Sequence, residues 1–227
     1  MKIENMKVFG ILDALRGMRN PLNSWEKNDS RCICDPNDGH VIELELGPND
    51  QKLCKALTFG GQPHRKFLRQ ILASIDITAP AYWWAEMDTY KISTTRNSCS
   101  VQHKGSSRDF KLADFTFDDF KEIARNSNEL DAEWFDKEVA PTILASMNFL
   151  RRKYVKTKDY RYFRLMRQIM PMGYNYRATW TGTYENLLNI YEWRHAHKLV
   201  EWHEFCDEIK KLPGMEFFLA SMVNREK

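Results

Sequence analysis

The sequence predicts an α+β fold that is rich in helix and forms one domain over residues 1–227. In most of the chain apolar residues recur at helical spacing, whereas a few short segments alternate apolar and polar residues as strands do. Hydrophobic residues make up 43% of the chain and aromatic residues 13%, which is enough apolar surface to bury a sizeable core. The sequence contains no internal repeat and no low-complexity linker that would mark a domain boundary.

The individual elements follow from these two periodicities. Helices are predicted over residues 6–19, 49–57, 82–89, 116–126, 129–155, 159–170 and 183–212, the second of them capped by Asn49-Asp50. Strands are predicted over 41–46 and 174–180, and a loop over 20–39, which is rich in Asn, Asp, Ser and Pro. Segment 64–78 begins with helical spacing, but its later part could be a strand, and periodicity alone does not decide.

Charge and cysteine usage point to the cytoplasm. The net charge of +3 is too small to require nucleic acid as a partner, but it would suit a pocket for an anionic metabolite if the arginines converge. No apolar leader and no run of ~18 apolar residues is present, so neither a signal peptide nor a membrane span is expected. The five cysteines include no CxxC pair, and Cys32 and Cys34 are too close for an ordinary bridge. Reduced thiols are the simplest account.

Common catalytic and metal-binding signatures are missing. The sequence has no GxSxG, P-loop, GxGxxG or HExxH motif. His197 and Glu201 share a helix face because they are four residues apart, with His195 and His203 nearby. That arrangement could supply half of a metal site, but a third ligand is not evident, so a solvated polar face is favoured and no metal is expected.

Two stretches could bind a phosphorylated ligand. Hydroxyl and amide side chains crowd together over residues 90–103, where they could donate to phosphate or carbonyl oxygens, although a helix cap and turn would have the same composition. Arg167 lies four residues before Pro171, and Arg194 lies inside a predicted helix between Trp193 and His195. Arginine binds phosphate through two parallel hydrogen bonds, but each of these arginines could instead pair with a carboxylate such as Glu201.

A third stretch, residues 151–161, is basic and contains tyrosines. Such a stretch can bind phosphates and stack bases, so a non-enzymatic module that contacts nucleic acid or a protein is an open alternative. A solvated helix end followed by a turn explains the same residues and is favoured. Nucleic acid is therefore not the expected partner.

In their order along the chain, these stretches resemble the flavin-dependent thymidylate synthases (ThyX). The family signature reads R-H-R-x-x-S-x-N-x-x-S-x-R. With Asn97 as the central Asn of the signature, Ser100 matches the second Ser and Thr95 replaces the first. The opening R-H-R is replaced by Tyr90, Lys91 and Ile92, and the closing Arg is replaced by Gln102. The polar centre of the signature is thus kept and its arginines are replaced.

The resemblance extends over roughly residues 60–205. Arg167 and Pro171 keep the family's spacing, and Trp180-Thr181, Leu187, Asn189 and Arg194 follow in register, with Thr183 in place of the first helix Asn. Upstream, Phe67 lies within an element similar to H-x-S-P-F-E-H, in which Arg69 takes the place of the closing His, and Ala79-Pro80 follows. These departures are typical of a divergent branch of the sort that phages and prophages carry.

The resemblance implies a ThyX-like fold with an antiparallel or mixed sheet, assembled as a homotetramer. It implies an enzyme in which reduced FAD passes a one-carbon unit from methylenetetrahydrofolate to C5 of dUMP, with NADPH as the source of hydride. The cofactor does the hard chemistry in such an enzyme, so no protein nucleophile is needed.

Carried over position by position, the resemblance assigns roles to nine residues. The substrate-binding residues would be Ser100, Gln102, Arg167 and Arg194, and the cofactor-binding residues would be Arg69, Lys91, Thr95, Asn97 and Asn189. Because the R-H-R arginines are replaced, three outcomes stay open: an enzyme with compensating residues, an enzyme with another pyrimidine substrate or a hydroxymethylase activity, and a nucleotide-binding protein without catalysis. Lys91 would partly replace a lost arginine as a point charge.

Overall fold

The computed structural model describes residues 1–100, 107–117 and 133–223. The chain divides into two compact units. Unit 1 comprises the described residues of 1–77, 88–97 and 178–227, and unit 2 comprises those of 78–87 and 98–177. Both units are discontinuous in sequence, so residues far apart in the chain meet inside each of them.

The elements are named in chain order. Strands β1 to β6 span Lys2–Phe9, Arg31–Cys34, Val41–Glu45, Leu72–Pro80, Thr95–Ser98 and Asn175–Thr183. Helices α1 to α8 span Ile11–Gly17, Pro48–Phe59, Ala81–Met87, Ala140–Thr157, Tyr160–Gln168, Tyr184–Arg194, Val200–Lys210 and Met215–Val223, and a π-helical turn, Phe135–Val139, precedes α4. An antiparallel sheet has the order β1-β4-β6-β5, and β2 and β3 form a separate antiparallel hairpin. The predicted helix-rich α+β fold is confirmed.

The core of unit 1 forms between the sheet and the helices that follow it. Strand β4 alternates as a half-buried strand should, with Ile75 and Ile77 fully buried. Asp76, between them, accepts hydrogen bonds from Asn5 at 2.8 Å and Thr179 at 2.5 Å. Large aromatic side chains complete this core, namely Phe67, Tyr184, Trp202, Phe205 and Phe218.

Unit 2 has a core of its own, in which α4 packs against α5. The buried members of this core are Phe110, Phe115, Met147, Leu150, Phe163 and Met166. Helix α3 is held in the same unit by backbone bonds, from Ala81 N to Tyr174 O at 3.0 Å and from Tyr82 N to Met172 O at 3.2 Å. The indole of Trp84 adds a bond to Tyr176 O at 3.1 Å.

Several predicted elements are confirmed, with their ends shifted by a few residues. The helices predicted over 82–89 and 159–170 are α3 and α5, and the strands predicted over 41–46 and 174–180 are β3 and β6. The later part of 64–78 is strand β4, whereas the first part forms only a 3-10 turn at Lys66–Arg69. The helix predicted over 129–155 is confirmed from 133 onward, and the helix predicted over 116–126 lies mostly outside the described residues.

Two predictions near the N-terminus are wrong. The helix predicted over 6–19 begins only at Ile11, because the preceding residues are strand β1 and pair with β4. Residues 20–39 are not all loop, since they contain strand β2, whose pairing with β3 outweighs the local turn propensity.

The cap predicted for the second helix is also wrong. Helix α2 begins at Pro48 with Gly47 as its N-cap, so Asn49 lies inside the first turn. Its exposed N–H groups are satisfied by Asp29, which accepts from Asn49 N at 2.9 Å and Asp50 N at 3.0 Å. Asp50 is fully buried and pairs with Arg19 at 2.6 Å. A carboxylate from a distant loop therefore caps this helix.

The single long helix predicted over 183–212 is two helices, α6 and α7, separated by His195–Leu199. Side chains close this turn: His197 Nδ1 accepts from Leu199 N at 3.2 Å, and His203 Nε2 lies 2.6 Å from His197 O. The turn contains neither Gly nor Pro, which explains why the sequence pattern does not show the break. Within the described part of the chain, no helix is both long and apolar enough to span a membrane.

Candidate functional site

The polar stretch that begins at Tyr90 forms a tight turn and then strand β5, which lies at one edge of the sheet. Thr94 Oγ1 donates to Tyr90 O at 2.6 Å, and Ser93 between them has a φ of 60°, in the left-handed region. Asn186, in the first turn of α6, donates to Ile92 O at 2.9 Å. The stretch is therefore a fixed turn and an edge strand rather than a helix cap, and Lys91, Thr95 and Asn97 on it are exposed.

Arg194 ends helix α6 inside an aromatic cradle. Its guanidinium carbon lies 4.9 Å from the centroid of the Trp202 ring and 5.6 Å from that of Tyr90, within cation–π range. Its Nε donates to the Tyr90 hydroxyl at 2.9 Å. The two rings meet edge to face at 6.3 Å, so the cradle is itself a packed unit. These contacts hold the charged group in one orientation.

Arg69 and Asn189, both predicted to bind cofactor, belong to one polar network around Glu185. The carboxylate of Glu185, buried in α6, accepts from Arg65 Nε at 3.1 Å and from Arg69 Nε. Arg65 is buried as well and donates to Asn189 Oδ1 at 2.9 Å. About half of the Arg69 side chain is exposed, and Glu185 raises its pKa by a side-chain hydrogen bond. The network thus carries two cations against one anion.

No sequence pattern marks Glu185 and Arg65 as members of this network. They are 120 residues apart in the chain, and neither falls on a matched position of the family motifs. A Glu in the first turn of a predicted helix is also a common helix-stabilising residue, which offers a sufficient local explanation.

Unit 2 contains a cavity of about 210 Å³ where β6 begins. Its lining residues are Cys99, Ser100, Ser107, Arg108, Phe110, Asp114, Tyr174, Asn175, Tyr176 and Arg177. The lining combines two guanidinium groups, serine and tyrosine hydroxyls and one carboxylate. Such a set can bind an anion that also presents hydrogen-bond acceptors.

Ser100 is the predicted substrate residue that lines this cavity, and Arg167 is joined to the lining through Tyr176. Arg167 Nη1 donates to the Tyr176 hydroxyl at 3.0 Å. Arg108 forms a bidentate pair with Asp114, at 2.6 and 2.7 Å. Burial raises the pKa of the Tyr174 hydroxyl, and the neighbouring Asp114 carboxylate adds to that increase.

Sequence reasoning missed the basic and aromatic residues of the cavity, namely Arg108, Phe110, Tyr174, Tyr176 and Arg177. The alternation over 174–180 was a usable signal, because residues two apart on a strand point to the same face. It placed Tyr174 and Tyr176 on one face, but it did not indicate what that face contacts. Gln102, the remaining predicted substrate residue, lies outside the described residues.

The three arginines of the basic stretch 151–161 are paired with carboxylates. Arg151 and Arg152 both bond Asp109, and Arg161 bonds Asp159 at 2.7 Å. Tyr154 packs against Phe163 with ring centroids 5.2 Å apart. Its arginines and this tyrosine therefore have structural roles within unit 2.

The fold is similar to that of nucleotide-modifying enzymes of known structure. Flavin-dependent thymidylate synthase ThyX from Helicobacter pylori, complexed with FAD and dUMP, aligns over 96% of this chain and 97% of its own with a TM-score of 0.62 and 15% identity. A second structure of ThyX from that organism, also with FAD and dUMP, aligns over 99% and 100% with a TM-score of 0.62 and 14% identity.

A UMP/dUMP methylase, PolB from Streptomyces cacaoi bound with 5-Br dUMP, aligns over 96% of this chain and 95% of its own, with a TM-score of 0.61 and 15% identity. No protein-family model matches the chain, and no curated protein sequence matches it. The chain therefore has the ThyX fold that its motifs predict, at a sequence identity that establishes the fold alone.

Proposed function

We propose that this chain is a flavin-dependent thymidylate synthase-like enzyme, which transfers a one-carbon unit from methylenetetrahydrofolate to C5 of dUMP by way of reduced FAD. NADPH would supply the hydride, and the protein would act as a homotetramer in the cytoplasm. The observation that carries the proposal is the cavity of unit 2, which lies in a ThyX-like fold and joins the predicted Ser100 to two arginines of its own lining, Arg108 and Arg177.

The residues assigned to FAD fit an anionic cofactor. Arg69 keeps about half of its side chain exposed although it pairs with Glu185, and Lys91 is exposed on the turn before β5. Thr95 and Asn97 present a hydroxyl and an amide on the exposed strand β5, and Asn189 adds an amide in the Glu185 network. When bound, FAD would supply the redox chemistry that no side chain provides.

The phosphate of the nucleotide would be bound in the cavity of unit 2. Ser100 would donate its hydroxyl, and Arg108 and Arg177 would replace the signature arginines that the sequence lacks. Arg108 is held in place by Asp114, and its side chain is 58% exposed. Arg167, positioned by Tyr176, would add a further cation. A charge-assisted hydrogen bond contributes about 1.5–3 kcal/mol, so these arginines can offset the loss of two others.

Arg194 would keep the nucleotide-binding role that the resemblance assigns to it. Fixed donors stabilise charge that develops on a substrate during reaction. The Tyr90–Trp202 cradle fixes the guanidinium before substrate arrives, so little ordering of this side chain is left to occur on binding. In this scheme the side chains bind, orient and polarise the nucleotide, and none of them forms a covalent bond to it.

The visible absorbance spectrum of the purified protein tests this proposal. The spectrum is recorded before and after addition of FAD and gel filtration, and again after addition of dUMP. We expect flavin bands that stay with the protein and change when dUMP binds. A protein that neither carries nor retains FAD would contradict the flavin mechanism. The Arg69→Ala and Lys91→Ala variants should retain less flavin, whereas Lys156→Ala, an exposed lysine on α4, serves as the matched control.

A further inference from the structure

The hairpin β2–β3 carries two thiols side by side. Cys32 and Cys34 both lie on β2, and their Sγ atoms are 3.3 Å apart. Cys34 is exposed and Cys32 is half-buried. Residues two apart on a strand point to the same face, and the register with β3 shifts between Ile33 and Cys34, where the pair lies. Both sulfurs are therefore presented together at the surface.

The geometry favours chelation by this pair over a disulfide between its members. The Cα atoms of residues two apart on a strand are separated by about 6.6 Å, which is near the upper end of the Cα–Cα distances found in disulfides. A bridge there would be strained, and strained disulfides are readily reduced. By contrast, two thiolates on a tetrahedral ion at about 2.3 Å have their sulfurs about 3.8 Å apart, close to the present separation.

We propose that Cys32 and Cys34 form a bidentate dithiol site for a soft acceptor that takes two sulfur ligands, a thiophilic metal ion or a trivalent metalloid. Thiolates select such acceptors over Mg²⁺ and Ca²⁺, which take oxygen ligands. The remaining cysteines do not offer the same arrangement, because Cys54 and Cys206 are buried and Cys99 lies in the other unit.

The oxygen and nitrogen donors at the tip of the same hairpin are engaged in other bonds. Asp38 accepts from the Lys7 ammonium, and its Oδ1 lies 2.6 Å from His40 Nδ1. Asp35 Oδ1 accepts from Asn37 N at 2.8 Å. The Lys7 charge offsets the carboxylates that would attract a hard cation. The sulfur pair is thus the part of the hairpin that suits an added ligand.

Phenylarsine oxide is the probe for this site, applied to the full-length reduced protein. Its As=O group condenses with two thiols, so that two As–S bonds form, both S–H bonds break, and the oxygen leaves as water with the two protons. No oxidant or reductant takes part.

We expect one adduct per chain, with the mass of the reagent less one water, together with the loss of two thiols that Ellman's reagent titrates. An excess of a small dithiol should reverse the reaction. Cys32→Ser and Cys34→Ser should each weaken binding by about 100-fold or more, because one sulfur loses the chelate. Cys99→Ser removes an exposed single thiol and should leave the binding unchanged.

Two results would overturn the proposal: an adduct that forms equally well in Cys34→Ser, or a wild-type protein that forms no adduct although Ellman's reagent reaches Cys34. Cys34→Ala repeats the test without a hydroxyl, and thermal unfolding of each variant shows that it is folded. No nucleotide or flavin is used, so the outcome is independent of the proposed enzymatic function.

Discussion

Arg194 Nε and the Tyr90 hydroxyl are joined by a 2.9 Å hydrogen bond between residues 104 positions apart in the chain. In the resemblance to the ThyX signature, Tyr90 stands at the position of an arginine. In this chain the side chain at that position is a tyrosine that accepts a hydrogen bond from another cation, Arg194. The face of the Trp202 ring lies 4.9 Å from the guanidinium carbon and completes its cradle. Tyr90 is thus a positioning residue for Arg194.

Tyr90→Phe keeps the ring of the cradle and removes the hydroxyl that accepts from Arg194. We expect dUMP to bind about 10-fold more weakly, since a hydrogen bond to a charged group contributes about 1.5–3 kcal/mol and 1.4 kcal/mol is a factor of ten. Isothermal titration calorimetry measures the change.

The control for this prediction is Tyr160→Phe, which removes a hydroxyl from an exposed tyrosine of α5 and should leave dUMP affinity unchanged. Unaltered binding in Tyr90→Phe would mean that the hydroxyl does not position Arg194 for the nucleotide. Retained flavin in both variants would show that the cofactor site is intact.

Arg177→Gln removes one cation from the lining of the unit 2 cavity. If the cavity holds the phosphate, dUMP affinity should fall by about 10- to 100-fold, the equivalent of one charge-assisted bond, while the affinity for deoxyuridine should not change. Competition binding with both ligands makes this comparison. Arg164→Gln, at an exposed position on α5, is the matched control, and an equal loss for both ligands in Arg177→Gln would argue against a phosphate contact.

Glu185→Gln leaves the buried Arg65 guanidinium without its carboxylate partner. Removal of one partner from a buried ion pair is costly, so the free energy of unfolding should fall by about 3 kcal/mol. Arg69→Gln breaks the more exposed contact of the same carboxylate and should cost less than about 1 kcal/mol. Urea denaturation of the two variants distinguishes these effects, and equal losses would show that burial does not determine the cost.

The stability that Asp29 contributes by capping helix α2 should depend on pH. Burial acts to raise the pKa of its carboxyl, but the N–H donors of Asn49 and Asp50 outweigh that effect and hold the pKa below its ordinary value. A lowered pKa in the folded state gives stability that is fully present above the unfolded value, about 3.9, and is lost as the pH falls through the folded value.

The Asp29→Asn variant should accordingly be less stable than the wild type at neutral pH. As the pH falls below about 4, the variant should lose less stability than the wild type loses. Thermal unfolding across this pH range provides the measurement. Asp13→Asn, an acidic residue in the first turn of α1, is the control variant. Parallel pH curves for wild type and Asp29→Asn would rule out the cap as the source of the acid dependence.

The sequence predicted what local patterns determine. Periodicity located α3, α5, β3 and β6, because their buried faces repeat with the period of the element. Periodicity gave the wrong prediction where a residue distant in sequence determines the local structure. Strand β1 forms because it pairs with β4, and the N-terminus of α2 is capped by Asp29 from another segment. The break between α6 and α7 rests on histidine side chains that no turn propensity reveals.

For the candidate site, the sequence identified individual residues but not the residues that they contact. Motif order identified Ser100, Arg167, Arg194, Arg69 and Asn189 as residues of interest. Two of their partners, Tyr90 for Arg194 and Glu185 for Arg69, are more than 100 positions away, and only the folded chain brings them together. Arg108 and Arg177 had no motif to mark them, because they occupy positions that the family signature does not cover.

The most direct test of the proposed reaction is the release of tritium into water from dUMP labelled at C5. The purified protein is incubated with FAD, NADPH and methylenetetrahydrofolate, and each component is omitted in turn. We predict tritium release that requires FAD and methylenetetrahydrofolate and that falls sharply in Arg194→Ala. A protein that retains FAD and binds dUMP but releases no tritium under any of these conditions would contradict one-carbon transfer to C5.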